Sequence, residues 1–308
     1  MPLPDNISNE EHDALETLGR RIGAAHLQQR LRREGTRMPR PRLSHQLIRA
    51  GLNLSGLRGR GRRNVLNIQL RHNDVRLQRL PAALDGFTLL HVSDPHLDMD
   101  HQFLGHLIDR MQGLSFDACV LTGDFRFHGF GPYQPTLDGL AALRPQLGDK
   151  VFAVLGNHDT IRMVPGMEAR GYRVLMNESV PLGRGDDTLT LAGIDDAHYF
   201  RTHDLHKALA GAAPGDCVVL LSHTPEPYRL AAHGGVHLML SGHTHGGQIC
   251  LPGGIPLLTE TPAPRAFVRG VWHYQGMAGY TSVGCGSSVV DVRLNCLPEI
   301  TLHRLRCQ

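Results

Sequence analysis

The 308-residue chain has no CxxC pair, one tryptophan, two lysines and no apolar run near the roughly 18 residues a membrane-spanning helix needs. Each shortage excludes something. Cys119, Cys217, Cys250, Cys285, Cys296 and Cys307 are scattered, which argues against a zinc ribbon or a dithiol redox motif and suits a reducing compartment. Residues 1–19 are polar and acidic, and the stretch after the Arg20, Arg21 pair is interrupted by His26 and Gln28, so no export signal is read and a cytoplasmic location is expected. Aromatic residues make up only 5% of the chain, too few to supply stacking platforms for single-stranded nucleic acid.

The charge present is unevenly placed. The net value is only +3, but between Arg20 and Arg79 the cations are arginines and the sole acids are Glu34 and Asp74. Residues 1–80 therefore read as an arginine-rich N-terminal extension, and 81–308 as the main domain. Proline and glycine within 38–42 and 57–63 are expected to break regular structure, whereas 43–54 has the spacing of a short basic amphipathic helix, either packed on the domain or laid on a surface. An anionic membrane surface is the partner this segment suits best, peripheral on the inner membrane face. Nucleic-acid phosphates are the less favoured alternative. Oligomeric state is left open.

From Gly86 onward, short apolar runs end in polar clusters. They lie at 87–92, 118–121, 151–155, 218–221 and 237–240, and runs this apolar suit strands covered on both faces. Helix-length segments near 99–112 and 135–147 separate the early runs, giving βαβα order and an α/β core. After Gly246, alternating runs such as 289–294 and 299–303 predict further strands, hence a second sheet on the first.

The polar clusters carry the chemistry. In order they are Ser93, Asp94 and His96; Gly123 and Asp124; Asn157, His158 and Asp159; His223; and His243 with His245. Ligands bind beyond the carboxyl ends of strands in α/β sheets, so these tips should meet. Converged, they offer carboxylate, amide and imidazole donors without thiolate, a set suited to Mn, Fe or Zn. Seven or eight donors exceed the four a single zinc takes, so two divalent metal ions sharing Asp124 are expected, with a metal-activated hydroxide attacking a phosphoester. Each cluster alone has a bland alternative: Asn157 and Asp159 could cap a helix, and with 20 histidines, pairs such as His203 and His206 arise by chance.

Taken together, Asp94-Pro-His96, Gly123-Asp124, Gly156-Asn-His-Asp159, His223 and Gly242-His-Thr-His245 resemble the signature of calcineurin-like metallophosphoesterases over about half the chain. The resemblance implies a four-layer αββα sandwich. It implies one metal held by Asp94, His96, Asp124 and His245, and a second by Asp124, Asn157, His223 and His243. It further implies that His158 contacts phosphate and protonates the leaving oxygen while Asp159 orients it. The run from Gly242 to Ile249 is similar to the bacterial branch of YkuE-like, YaeI-like and LpxG-type enzymes, the last of which cleave UDP-2,3-diacylglucosamine. Relatives there commonly carry a membrane anchor, which is not read here. Residues 125–129 lack the Asp-Arg-Gly triplet of protein phosphatases.

Substrate choice falls to the loops 125–133, 195–206 and 253–272. Arg126 and His198 are candidate contacts for phosphate oxygens, with Tyr199 and Arg201 beside them, and Asp195 and Asp196 are candidates for supporting the ligands. The expected substrates are phosphorylated small molecules or lipid-linked phosphates, cleaved at a phosphodiester, phosphomonoester or pyrophosphate bond. A metal-free scaffold is the reading from another class, and the complete ligand set argues against it.

Overall fold

The computed structural model describes residues 8–35 and 43–308, so the expected break at 38–42 lies outside the described residues. The helices are α1 (Asn9–Ile22), α2 (Ala24–Gly35), α3 (Leu43–Leu54), α4 (Arg58–Val65), α5 (His101–Met111), α6 (Gln134–Leu143), α7 (Val164–Glu168), α8 (Leu205–Leu209) and α9 (Tyr228–His233). The first sheet contains β1 (Gln69–Leu77), β2 (Thr88–Val92), β3 (Ala118–Leu121), β4 (Val151–Ala153) and β5 (Arg173–Val174). The second contains β6 (Glu178–Arg184), β7 (Asp187–Gly193), β8 (Val218–Leu221) and β9 (Leu238–Ser241). A short hairpin follows, β10 (Cys250–Leu251) with β11 (Ile255–Pro256), then β12 (Gly270–Tyr274) and β13 (Met277–Thr281) of the second sheet, and β14 (Glu299–Cys307) of the first.

Strand order is β1-β14-β2-β3-β4-β5 in one sheet and β12-β13-β9-β8-β7-β6 in the other. β2 to β5 are mutually parallel, as are β7, β8 and β9, so their carboxyl ends share an edge. Alternation along a strand explains the layering. In β2, Leu90 and Val92 join an outer core with Phe103, Leu107 and Leu140 of α5 and α6, while Leu89 turns to Val219 and Leu238 of the facing sheet. β3 divides the same way, Cys119 and Leu121 outward, Ala118 and Val120 inward. A third core joins Leu220 and Met239 to Ala208 of α8 and Ala231 of α9. Helix, sheet, sheet, helix is thus the order of layers, as expected of the α/β sandwich.

Residues 8–35 and 43–77 are woven into this body. Leu15, Leu18, Ile22 and Leu27 of α1 and α2 are buried in the outer core, and β1 pairs in parallel with all of β14. Two local expectations fail. Residues 57–63 do not break structure but start α4: Gly61 lets the helix press on Val292, where a Cβ would sit 2.7 Å from the valine side chain, and Arg62 pairs with Asp291. Residues 289–294 do not form a strand. Val289 has φ 66, which breaks the extended run, only Leu294 makes an isolated bridge, to Ile249, and Val290, Val292 and Leu294 pack on Leu52 of α3.

Candidate metal centre

The ligand-bearing segments arrive from both sheets. Asp94 follows β2, Asp124 follows β3, Asn157 follows β4, His223 follows β8, and His243 follows β9. Sharp reversals are needed to turn side chains inward from strand ends. Asp94, His96, Asp124, His243 and His245 all take positive φ, between 44 and 71, a conformation that costs non-glycine residues about 1–3 kcal/mol each and concentrates at functional sites. Glycines make the room. A Cβ at Gly242 would fall 2.3 Å from Asp94 Oδ2, and one at Gly123 would fall 2.5 Å from Gly156 N.

Four groups among the described residues have donor atoms mutually within 4.8 Å: His198, Glu226 and His243; Asp94, His96 and His245; His96, Asp124 and His158; and Asp124, His223 and His243. Asp124 joins the latter two groups. Asn157 adds its Oδ1, 2.9 Å from His223 Nε2, which is also 3.4 Å from Asp124 Oδ1. Every metal position expected from the sequence is therefore at one place, together with His158.

Second partners set which ring nitrogen faces inward. His96 Nδ1 lies 2.6 Å from Arg126 O, His223 Nδ1 2.7 Å from Thr122 O and His158 Nδ1 2.5 Å from Phe127 O. A ring donating from Nδ1 to a carbonyl presents the Nε2 lone pair to the centre. His243 is reversed, donating Nε2 to Glu260 O at 2.9 Å, so Nδ1 is its inward atom. At His245, Arg293 Nη2 stands 3.1 Å from Nδ1, and a guanidinium only donates, so the ring proton sits on Nε2, 3.2 Å from His96 Nε2. That proton holds two lone-pair donors together where a cation would.

The electrostatics fit a cation as well. Burial and the Asp124 charge push Asp94 up to about 7 against the pull of His223. Burial pushes Asp124 up too, but His223, His158 and His96 hold it well below its ordinary value. Burial lowers His223, and Asp124 overcomes this to raise it to about 10. Crowded carboxylates neutralised by a buried imidazolium and a retained proton are a site whose charge balance a divalent ion satisfies better. The donor set fits such ions.

Behind Asp94 runs a line of buried side chains. Ser93 Oγ donates to Asp94 Oδ2 at 2.5 Å, Thr122 Oγ1 to Ser93 Oγ at 2.6 Å, and His91 Nε2 lies 2.8 Å from Thr122 Oγ1. His91 Nδ1 is 3.3 Å from His303 Nε2, and His303 Nδ1 is 3.0 Å from Asn73 Nδ2. Burial alone lowers His91 to about 3, and burial with His91 beside it takes His303 well below its ordinary value.

Some side chains lie elsewhere than expected. Asp159 accepts backbone N–H bonds from Asp124, Phe125, Arg126 and Gly156 at 2.8–3.2 Å, tying the β3 and β4 loops together. Burial and Asp124 raise its pKa to about 6. Arg126 is buried and donates to the carbonyls of Phe130 and Gly131, so it braces its own loop. His198 sits at the rim with its ring centroid 4.4 Å from that of His243 and Nδ1 2.6 Å from Glu226 Oε1. Asp196 accepts from the N–H groups of His198, Tyr199 and Phe200, which shapes that rim loop. Asp195 pairs with Arg30 at 3.0 Å and His26 at 2.6 Å. Burial opposes its charge, yet Arg30 and His26 hold it down at about 2.

Sequence reasoning missed Glu226, Arg293 and the contribution of α2. Glu34 of α2 accepts from Thr160 Oγ1 at 2.6 Å and Ile161 N at 2.7 Å. A lone acid in a run of arginines was the one signal available.

Comparison with known proteins agrees with this geometry. The family model described as calcineurin-like phosphoesterase matches residues 87–247. The chain is 29% identical over 238 residues to the uncharacterized metallophosphoesterase YkoQ of Bacillus subtilis, covering 73% of this chain and 86% of that protein. It is 27% identical to YkuE of the same organism, covering 78% and 86% respectively. It is 28% identical to the phosphodiesterase YaeI of Escherichia coli, covering 61% and 70%.

Proposed function

We propose, from the premise that this chain belongs to the calcineurin-like phosphoesterase family and is a phosphoric ester hydrolase, that its centre is dinuclear and cleaves phosphodiesters in preference to monoesters. The observation that carries the dinuclear reading is the sharing of Asp124 between two donor groups. Asp94, His96, Asp124 and His245 hold one ion, and Asp124, Asn157, His223 and His243 the other. Two divalent ions at these groups, Mn, Fe or Zn, supply Lewis-acid charge and a water acidified toward neutrality.

The chain's own side chains do the rest. His158 is half-buried, with Nδ1 committed to Phe127 O, so its Nε2 faces the centre and serves the phosphate and leaving oxygens. Asp159 positions the backbone that carries Asp124 and Gly156. His198, oriented by Glu226, contacts a substrate oxygen from the rim. Arg126 braces the loop at 126–132, whose Phe127 O holds the His158 ring.

The diester preference draws on the likeness to the phosphodiesterase YaeI. A lipid-linked pyrophosphate of the UDP-2,3-diacylglucosamine kind is the second member of the substrate set, drawn from the arginine content of residues 20–79, and it would go with a place on the inner membrane face. No helix among the described residues is long and apolar enough to cross a membrane. The boundary at 80/81 is one of composition, arginine-rich before it and more acidic after.

The test is hydrolysis of bis-p-nitrophenyl phosphate against p-nitrophenyl phosphate, with Mn supplied or chelated, for wild type, Asp124→Asn and His158→Ala. Metal-dependent cleavage of the diester that disappears in Asp124→Asn is expected. A folded wild type that binds no metal and turns over neither ester overturns the assignment in favour of a scaffold.

A further inference from the structure

We propose that the hairpin of β10 and β11 with residues 257–258 is an interfacial anchor that seats the enzyme on an anionic lipid surface, its active-site mouth against the headgroups. Leu251, Ile255, Leu257 and Leu258 are exposed at 46%, 54%, 54% and 64%. Four of the nine large hydrophobic side chains exposed among the described residues thus lie within eight positions. An apolar cluster of that density on a two-stranded projection marks a surface that is covered in use. The charge around it indicates by what. From 227 to 290 the only acid is Glu260, while Arg229, Arg265 and Arg269 are cations. Arg265 and Arg269 are exposed, and the Arg269 guanidinium lies over the turn, 2.9 Å from where a Cβ of Gly254 would be. Aliphatic tips with arginines at their base suit acyl chains below anionic headgroups.

The hairpin is braced on the metal centre. Gly247, two residues beyond His245, packs so closely on Pro256 that a Cβ would meet it at 2.4 Å, and Glu260 O holds His243 Nε2. A membrane reached by the hairpin is therefore at the rim. The consequence, that the substrate is a phosphodiester or pyrophosphate with a lipid tail, rests on the phosphoesterase reading; the binding does not.

The experiment is cosedimentation of the full chain with vesicles of phosphatidylglycerol and phosphatidylcholine, against phosphatidylcholine alone. Wild type should pellet with the anionic vesicles and be released by salt. Leu257→Asp with Leu258→Asp, and separately Arg265→Glu with Arg269→Glu, should weaken partitioning by at least about tenfold at unchanged melting temperature. Wild type that stays in the supernatant with every vesicle overturns the proposal. So does a leucine variant that pellets like wild type, or one whose sole change is loss of a dimer on size exclusion, which would assign the hairpin to a second copy. Catalysis does not enter this readout, so failure here leaves the hydrolase assignment intact.

A second inference stands on the buried line behind Asp94: we infer that His91 and His303 are positioning residues for that ligand. A single proton arrangement satisfies all five bonds. The carboxylate accepts from Ser93, which obliges Thr122 to donate to Ser93 and His91 to donate Nε2–H to Thr122. Neutral His91 then accepts at Nδ1 from His303 Nε2–H, and His303 accepts at Nδ1 from the Asn73 amide. Every donor points toward Asp94, so the line holds one carboxylate oxygen in place and draws on its charge. Asn73 at the outer end lines a groove of about 610 Å³ at the sheet edges, which contains none of the metal-site side chains.

Mn binding by electron paramagnetic resonance tests this in wild type, His303→Leu and His303→Gln. Glutamine can still donate to His91 Nδ1, whereas leucine cannot. His303→Leu should bind Mn at one of the two sites about tenfold more weakly, and His303→Gln should restore it. If both variants bind Mn like wild type, or both lose it equally, the histidines are packing residues and the inference fails. A wild type that binds no Mn, Fe or Zn at all would instead overturn the metal assignment.

Discussion

Asp159 and His158 are neighbours in the chain with opposite roles, and the difference is measurable. Asp159 satisfies four buried N–H groups, each of which costs about 1–3 kcal/mol when left without an acceptor. Asp159→Ala should therefore lower stability to urea by on the order of 3 kcal/mol or more. His158→Ala should cost about 1 kcal/mol, the loss of its bond to Phe127 O, while lowering kcat by roughly 10²–10⁴. Equal stability losses would mean that the two are both structural. Buried His91 supplies a pH prediction. Burial takes its folded pKa down to about 3 from the ordinary 6.5, so between those values the unfolded chain binds a proton that the folded chain does not. Its contribution is thus fully present above pH 6.5 and is lost as pH falls toward 3, at about 1.4 kcal/mol per pH unit. Urea titrations from pH 6.5 to 4.5 should show a slope shallower by that amount in His91→Leu; parallel slopes would show that His91 is charged in the folded state. These residue roles were only partly legible in advance. The ligand identities could be read because each closes an apolar run. That Asp159 holds four backbone N–H groups could not, because their residues lie 33–35 positions upstream apart from Gly156.

Helix α2 shows what a single element does for the site without touching it. Its one face anchors two rim loops, Arg30 and His26 on Asp195, and Glu34 on the residues just after Asp159. Arg30 is fully buried, with its guanidinium 3.7 Å from the centroid of the Phe200 ring. Removing one member of a buried pair costs about 3–5 kcal/mol, because the other charge stays buried. Arg30→Met should reach that range in chemical denaturation and raise KM for the diester through the loop that carries His198. A fall in stability with unchanged KM would confine α2 to packing. Element-level expectations held where periodicity was strong, as for β3 and the helix at 43–54. They failed at 57–63 and 289–294, where a glycine contact and a positive φ override the composition.

At the scale of the whole molecule, the centre lies where two sheets present their carboxyl edges, so ligand and fold stability are linked. An ion that binds only the folded chain adds about 2.7 kcal/mol at a hundred times its dissociation constant. Mn should raise the melting temperature, a chelator should lower it, and Asp124→Asn should remove most of the difference. A wild type indifferent to both would contradict the metal centre. The apolar runs that become β2, β3, β4, β8 and β9, and the donor types that close them, follow from short-range pattern, since run length is a property of neighbouring residues; the place of β14 between β1 and β2 does not. Convergence is another matter. His96 meets His245 across 149 positions, and His26 meets Asp195 across 169. No spacing rule encodes such pairs, because they depend on how twisted sheets and a returning N-terminal helix stack. Composition set residues 1–80 apart from the remainder, but packing joins α1, α2 and β1 to the same core and sheet, because Leu15, Leu18, Ile22 and Leu27 leave water only against the outer layer.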